Sequence, residues 1–557
     1  MFGRSSTNSL IMRLAALLGA AVLLGGWLRG PQAPRVKDVG SARVIVVPER
    51  GRVEVGSAVM VDASDDRDIF RSPPHRPDLG TMHGTGSAVT LRPDLLGTSR
   101  LLTTPTAMQW RRPHGDLPSA IVNWFSVRNA DGTISQPRQH THYPTDHGGL
   151  TVLSLTAHPG AWADPDTGLL VVGHGIFNAP QKVANYYAND PRWWKYPGNF
   201  HGRGKEWQRR GHMELIAPDG KLLLEASVGV RINGQMTRGF PQHAFRLLFD
   251  DPVDVPLFPD GDGPGTMALI LRPAGNDQVK AMLRDAYQHR LCQQLPFATS
   301  QAITCVTYLN GAYWGVHHLR QRMDEHEIAR RYGIKAKKVA LLEDRARPVN
   351  ADTSGSLAFM RLVVGTERWD GRSPSWIDTL HQRMDVDGYL TYMASQMILG
   401  NMDWPRQNVK WWRFSGKPRP EPPLDGRWYF IMGDTDLSFG ANAPVDVDLF
   451  AQVKLANAPI SRLFMAMYRN DTFRAKFLLA VEALLDGPLS AKRCTSELET
   501  MVALMTPEME RHTARWRKPL DREAWEQEVN VVRAYAKGRE AACREQLARL
   551  RDKHNAE

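Results

Sequence analysis

A chain of 557 residues with 42% hydrophobic content holds apolar mass for a large core, or for about two to four domains, and excludes a disordered protein. Lysine and arginine outnumber aspartate and glutamate by 70 to 59, a net charge of +11. That excess admits an anionic partner such as a nucleotide, a phosphate polymer or an acidic surface. No dense Lys/Arg run concentrates it, however, so it reads first as charge serving solubility, and no nucleic-acid partner is expected.

In chain order, Arg4 and Arg13 precede the uncharged stretch Leu14 to Leu28, so residues 1–33 read as a signal peptide or a membrane anchor. The stretch falls short of the roughly 20 residues of a comfortable span, but Leu10 to Met12 extend it and Arg13 can snorkel. The candidate cleavage residue Ala33 is hemmed in by Pro31 and Pro34, which favours an uncleaved anchor. The expectation is an exported protein, extracytoplasmic, periplasmic or membrane-anchored with its body outside and an N-terminal membrane contact. Cys292, Cys305, Cys494 and Cys543 suit export. Pairing of Cys292 with Cys305 and of Cys494 with Cys543 is one reading and isolated buried thiols an equal one.

Residues 34–149 read as a small β-sandwich-like module. Short runs at Ala42 to Val47, Ser57 to Val61, Ala88 to Leu91 and Ala120 to Arg128 are separated by turn signals such as Asn129 to Gly132. His140, His142, Asp146 and His147 admit a metal, but beside Pro144 and Gly148 solvated linker histidines are the favoured reading.

From residue 150 to about 345 the pattern is strand-rich. Leu153 to Thr156 and Leu169 to Val172 suggest a hairpin. GNFHGRG (198–204) is a glycine-containing loop that fits no phosphate-loop spacing. Val228 to Ile232 and Ala244 to Phe249 read as strands joined by NGQMTRGFPQH, which carries Thr237, Arg238 and His243. Met267 to Arg272 is a further apolar run, and Asp277 to Leu291 has helical spacing. Ala302 to Leu309 and Tyr313 to Leu319 flank Asn310-Gly311, a hairpin signal. A short helix over Asp324 to Tyr332 and a strand over Val339 to Leu342 follow.

Residues 346–557 are mainly helical, with candidates at Val386 to Leu399, Ile460 to Tyr468, Phe473 to Leu485, Lys492 to Leu504 and Trp525 to Leu550. The first has Asp385 near its N-cap and an apolar face of Val386, Tyr389, Leu390, Met393 and Met397. It delivers the chain to GNMDWPRQNVK (400–410), where Asp403 stands five residues before Asn408. A strand-like run, Arg427 to Met432, then ends on Asp434 and Asp436. Phosphoryl transfer needs such a set: a carboxylate beside the attacking hydroxyl, and an amide and a carboxylate holding the metal. The Asp-x4-Asn spacing matches the catalytic loop of protein kinases, though alone it is a weak motif.

Four ordered stretches give it context: VRINGQMTRGFPQHAFRL (230–247), YLNGAYWGVHHLRQRMDEHEIARRYG (308–333), LGNMDWPRQNVKWWR (399–413) and WYFIMGDTDLSFG (428–440). Together they resemble the CotH family, spore-coat kinases and exported relatives with an atypical protein-kinase-like fold. The resemblance implies an α+β, two-lobed fold, with a strand-rich N-lobe over 150–345 and a helical C-lobe over 346–557. It implies ATP with Mg2+ or Mn2+ as cofactors and Asp403 as the catalytic acid or base. Asn408, Asp434 and Asp436 would hold the metal, and Arg231, Arg238, His243, Arg246 and Gln321 would meet the nucleotide. The sequence departs from the family pattern in three places: His243 stands where relatives usually have Lys, Gln321 where they have Glu, and Gly433 where they have Trp.

The leading expectation is therefore a kinase acting on Ser or Thr hydroxyls of a surface or envelope protein. The alternative is a non-catalytic, pseudokinase-like surface protein used for binding or assembly. A glycosidase with Asp403 and Asp434 as its acid pair is a distant third.

Overall fold

The computed structural model describes residues 117–127, 138–143, 145–174, 198–258, 264–350 and 353–556, with short strands at 37–39, 42–44, 51–52 and 69–70. The apolar segment of residues 1–33, the strands expected at 57–61 and 88–91 and the turn at 129–132 lie outside the described residues. Among the described residues no helix is long and apolar enough to cross a membrane.

The fold mixes helices and strands. β1 (Lys37–Val39) pairs with β2 (Ala42–Val44). β3 (Gly51–Arg52), β4 (Ile69–Phe70), β5 (Ile121–Val127) and β6 (Arg138–Tyr143) form a four-stranded sheet in the order β3-β6-β5-β4. Then come β7 (Thr151–Ala157), β8 (Arg209–Ile216), β9 (Leu222–Asn233), β10 (Ala244–Val253), β11 (Thr266–Arg272), β12 (Ala302–Leu309) and β13 (Ala312–Gln321). These seven close into a barrel in the order β10-β11-β13-β12-β7-β8-β9. All of its pairings are antiparallel except β12 with β7, which is parallel.

Period-two alternation sorts the barrel's two faces. Val230, Ile232, Phe245, Leu247, Leu269, Leu271 and Leu319 point inward with Leu153, Leu155, Met213 and Leu215 to form one apolar core. Their neighbours Arg231, Arg246, Arg272 and Arg320 must then face outward. The Asn310-Gly311 turn is as expected, with both residues at positive φ (46° and 83°) as a two-residue type I′ hairpin demands. Asn310 also ties this turn to β7: its amide donates to the Ala157 carbonyl at 2.7 Å and accepts from Ala157 N and Trp162 Nε1 at 2.9 and 3.0 Å.

Three local expectations are corrected. Leu169 to Val172 is not the partner of β7, which pairs with β8; Leu169 and Leu170 instead donate backbone bonds to Ala161 and Trp162 in the short helix Pro159–Ala163. The helix expected over Asp277 to Leu291 is broken. Residues Gly275–Val279 make a 3-10 turn, Met282 is left-handed (φ 63°), and the helix proper runs Arg284–Leu291. Asp277 causes the restart, because its buried carboxylate accepts from the Leu283 and Arg284 amides, both at 2.9 Å. The histidines are not solvated linkers either. His142 is buried in β6, and His147 is buried with its ring nitrogens 2.9 Å from Glu508 and 3.0 Å from the Tyr308 hydroxyl.

Beyond the barrel, β14 (Val339–Glu343), β15 (Arg347–Pro348), β16 (Val409–Phe414) and β17 (Tyr429–Met432) form a sheet in the order β15-β14-β16-β17. Ser354–Arg368 and Val386–Ile398 pack on it, Pro459–Met467 and Asp471–Asp486 pack on those two helices, and Ala491–Trp516 packs on Arg522–Ala556 and on β13 of the barrel. Trp411, Trp428, Phe359, Tyr389 and Phe430 are buried in the large core between them. All four cysteines are buried free thiols rather than disulfides, and burial raises every one of their pKa values, that of Cys543 to about 11.

Candidate active site

Asp385 caps the helix Val386–Ile398, accepting from Gly388 N, and the helix ends at Leu399 before Gly400 turns left-handed (φ 62°). The chain thereby enters the Asp403–Asn408 loop beside the core. Trp404 anchors that loop from below, fully buried with its indole N–H on the Tyr392 hydroxyl at 3.1 Å. β16 follows at once, and its register sets Val409 opposite Met432 of β17. Antiparallel pairing therefore brings the residue before β16, Asn408, against the residue after β17, Gly433, with Asp434 next in line. Sequence positions some 30 apart become neighbours by this register alone.

Asn408 is itself left-handed (φ 61°), and its amide donates to Asp403 Oδ2 at 3.3 Å. Asp403 is half-buried, and burial, followed by the nearby Asp434 charge, raises its pKa. That combination makes a carboxylate readier to accept a proton.

Asp434 and Asp436 play different parts. The Asp434 side chain is 26% exposed, that of Asp436 1%. Asp436 is fully engaged by protein donors: Oδ2 accepts from Arg272 Nη2 at 2.9 Å and Asn276 N at 2.6 Å, and Oδ1 from Asn276 Nδ2 at 3.2 Å. Arg272 Nη2 also reaches Asp434 Oδ2 at 2.5 Å, and its Nη1 lies 3.3 Å from Asp285 Oδ2. Arg320 pairs with the same Asp285, which further accepts from Thr435 N and Oγ1, both at 3.1 Å. Burial, and then the Asp434 charge, raise the Asp436 pKa. For Asp434 burial acts upward too, but Arg272 outweighs it and the pKa falls.

Arg272 and Arg320 were not among the expected site residues. The signal lay in the strands ALILR and HHLRQ, where alternation turns each arginine outward from an apolar strand. Which acids they would meet was not written there: Asp434 and Asp436 for Arg272, more than 160 residues on, and Asp285 for Arg320.

The expected nucleotide contacts are scattered in role. Arg238 is buried and spends its guanidinium on carbonyls, those of Gly234 at 2.7 Å, Phe200 at 3.2 Å and Gly202 at 2.8 Å, so it braces one loop against another. His243 is buried and stacks on Phe200 with ring centroids 5.3 Å apart; burial, then His201, lowers its pKa to about 3, leaving it neutral. It is therefore no substitute for a lysine cation. The Gln321 amide oxygen accepts from Gln301 N at 3.1 Å and Arg331 Nη2 at 2.9 Å. Arg231 is held by Gln208, at 2.9 and 2.6 Å. Arg246 is freer: among the described residues it has one 3.3 Å bond to Asn233 Oδ1 and a buried Nε with no partner, and its pKa is lowered to about 10 by burial and then by its neighbours Arg322 and Arg231.

Among the described residues no group of three or more His, Cys, Asp or Glu could hold a metal ion. The oxygens of Asp434 and Asn408 nevertheless suit a hard cation such as Mg2+, which takes one or two protein oxygens and completes its octahedron with phosphate and water. A cavity of about 1080 Å3, lined by Leu222 to Ser227 and Phe249 to Val255, lies elsewhere and shares no residue with this site.

No curated protein matches the chain. A solved structure, that of the Helicobacter pylori proinflammatory kinase CtkA, aligns at 9% identity over 53% of this chain and 94% of that one, with a TM-score of 0.24, too low to bear on fold or chemistry. The family model described as CotH kinase protein matches residues 230–543, from within β9 through most of the last helix. With more than half of its length under that model, including Asp403, Asn408, Asp434 and Asp436, the chain belongs to the CotH kinase family.

Proposed function

We propose that the protein is an ATP-dependent phosphotransferase that acts outside the cytoplasm on Ser or Thr hydroxyls of a surface or envelope protein. The observation that carries this reading is the meeting of Asp403, Asn408 and Asp434 through the β16–β17 register. In this reading the barrel and the helical unit act as the two lobes of a kinase-like fold. Asp403, its pKa raised, accepts the proton of the attacking hydroxyl, and Asn408 orients it through their 3.3 Å bond. Asp434 and Asn408 would hold a divalent ion, which when bound neutralises charge on the transferring phosphate. Of the expected cations Arg246 is the least committed to protein acceptors, with one 3.3 Å bond, and would be the one to meet phosphate oxygens. The charged and then apolar amino terminus supports export.

A second reading, a non-catalytic binding or assembly protein, is favoured by one observation: Arg272 already bridges the acid pair. Incubating the full chain with labelled ATP and Mg2+ or Mn2+ separates the two. Label transfer to itself or to envelope extract, falling about 10²- to 10⁴-fold in Asp403→Ala, supports the kinase. Nucleotide binding without transfer supports the second reading, and no nucleotide binding with either metal sinks the kinase reading.

A further inference from the structure

We propose that Arg272 is a built-in cation standing in for a second divalent ion, so that the site takes one metal ion, at Asp434 and Asn408, where protein kinases hold two. The inference rests on the reading of Asp434 and Asn408 as the metal-holding pair. In protein kinases the metal-binding Asp and the catalytic-loop Asn together hold two Mg2+. A second ion here would need oxygens from Asp436 or the inner oxygen of Asp434, and both are taken. Arg272 Nη2 lies 2.5 Å from Asp434 Oδ2 and 2.9 Å from Asp436 Oδ2, bridging the pair as a cation would.

The position is built rather than incidental. Asp436 is 1% exposed and receives the Asn276 backbone and side-chain amides as well. Gly275, left-handed at φ 62°, lets that loop close: a Cβ there would collide with both Asp436 Oδ2 and Arg272 Nη2. Arg272 is fixed from behind by Asp285, which in turn holds Arg320 and Thr435. A guanidinium held on three carboxylates carries the charge of one cation permanently and cannot be diluted away. What remains open is Asp434 Oδ1, whose only bond among the described residues is from Asp436 N at 3.1 Å, together with the Asn408 amide oxygen. These suit a single ion.

The test counts Mn2+ bound per chain by equilibrium dialysis of the full-length protein against Mn2+ with a non-hydrolysable ATP analogue, correcting for Mn2+ held by the free analogue. The wild type is expected to hold one ion and Arg272→Ala two. Asp434→Asn should hold none, while Asp436→Asn keeps its one ion with affinity changed less than about tenfold. Two ions in the wild type, or one in an Arg272→Ala variant that melts cooperatively, overturns the inference and leaves the kinase reading standing. No ion in the wild type overturns both. If Arg272→Ala does not fold, the wild-type count and Asp436→Asn decide: loss of the ion in Asp436→Asn makes that residue a metal ligand and refutes the proposal.

Discussion

Gly433→Ala is the sharpest test of how the site is assembled. Gly433 is not needed for backbone freedom, since its φ is not left-handed; it is needed for space. A Cβ added there would stand 2.6 Å from the Asn408 carbonyl carbon and 3.2 Å from its Cα, with the carbonyl oxygen closer still. Non-bonded carbons settle at about 3.5 Å or more, so Asn408 must retreat by roughly 1 Å. The obstacle is backbone, not the end of a flexible side chain, and neither partner is free to yield. Val409 is locked to Met432 in the ladder, and the Gly433 carbonyl accepts from His289 Nε2 at 2.9 Å. A shift of about 1 Å in a positioning residue can cost about 10²-fold in rate, and overpacking a closed site costs about 1–3 kcal/mol. The variant should therefore lose about 10²-fold in label transfer, bind Mn2+ more weakly and melt several degrees lower by calorimetry. A Gly433→Ala protein with wild-type turnover, Mn2+ affinity and melting temperature would refute the argument that the two strand ends are pressed together here. The Trp that relatives carry at this position should not be tolerated at all.

Other outcomes follow from buried charge. Glu508→Ala removes a fully buried acceptor of His147, the Tyr313 hydroxyl at 2.6 Å and Arg511 at 2.6 and 3.0 Å, and should cost about 3–5 kcal/mol. Urea unfolding with a loss under about 1 kcal/mol would show that the cluster does not bear on stability. His243→Lys, which restores the family's lysine, should destabilise by on the order of 3 kcal/mol and leave nucleotide affinity no better, because the new cation would be buried beside Arg238; tighter nucleotide binding would contradict this. The buried histidines also predict acid lability. Burial, as the largest cause, lowers the pKa of His243 and His317 to about 3 and of His512 to about 4. The unfolded chain takes up these protons near pH 6.5, so stability is full above that pH. It should then fall towards pH 4 by up to about 1.4 kcal/mol per pH unit for each histidine. Urea midpoints that stay level between pH 7 and 5 would contradict it.

Much of this was legible locally. The outward arginines, the Asn310-Gly311 hairpin and the helix capped by Asp385 follow from period, turn chemistry and capping, which act within a few residues. What was not legible depends on distant partners. His147 reads as a loop histidine because Glu508, 361 residues on, is what buries it. Arg272 reads as a strand-end cation because Asp434 and Asp436 meet it only after the barrel has docked on the helical unit. The partner of β7 was misjudged for the same reason, the nearest apolar run being taken for the strand that pairs with it. Gly433 read as a loss of the family's Trp, whereas in three dimensions it is the room that Asn408 occupies. At Asp277 local spacing itself misled, since helical periodicity cannot show that a carboxylate will fold back to cap a second start.

The single parallel seam of the barrel bears on how this protein can be cut and how it must be made. The residues that match the family model begin at 230, after β7 and β8. A piece trimmed to those limits would lack β7, β8 and residues 222–229 of β9, leaving the remnant of β9 and β12 with unpaired edges and the inner faces around Leu309 and Phe245 open to water. Open edges of this kind recruit other chains, so such a fragment should aggregate, and a soluble kinase unit must start before Thr151. During synthesis the same seam imposes a wait. Thr151 finds its partner Cys305 only after roughly 150 further residues have been made, and until then the nascent strands form an open sheet that needs shielding.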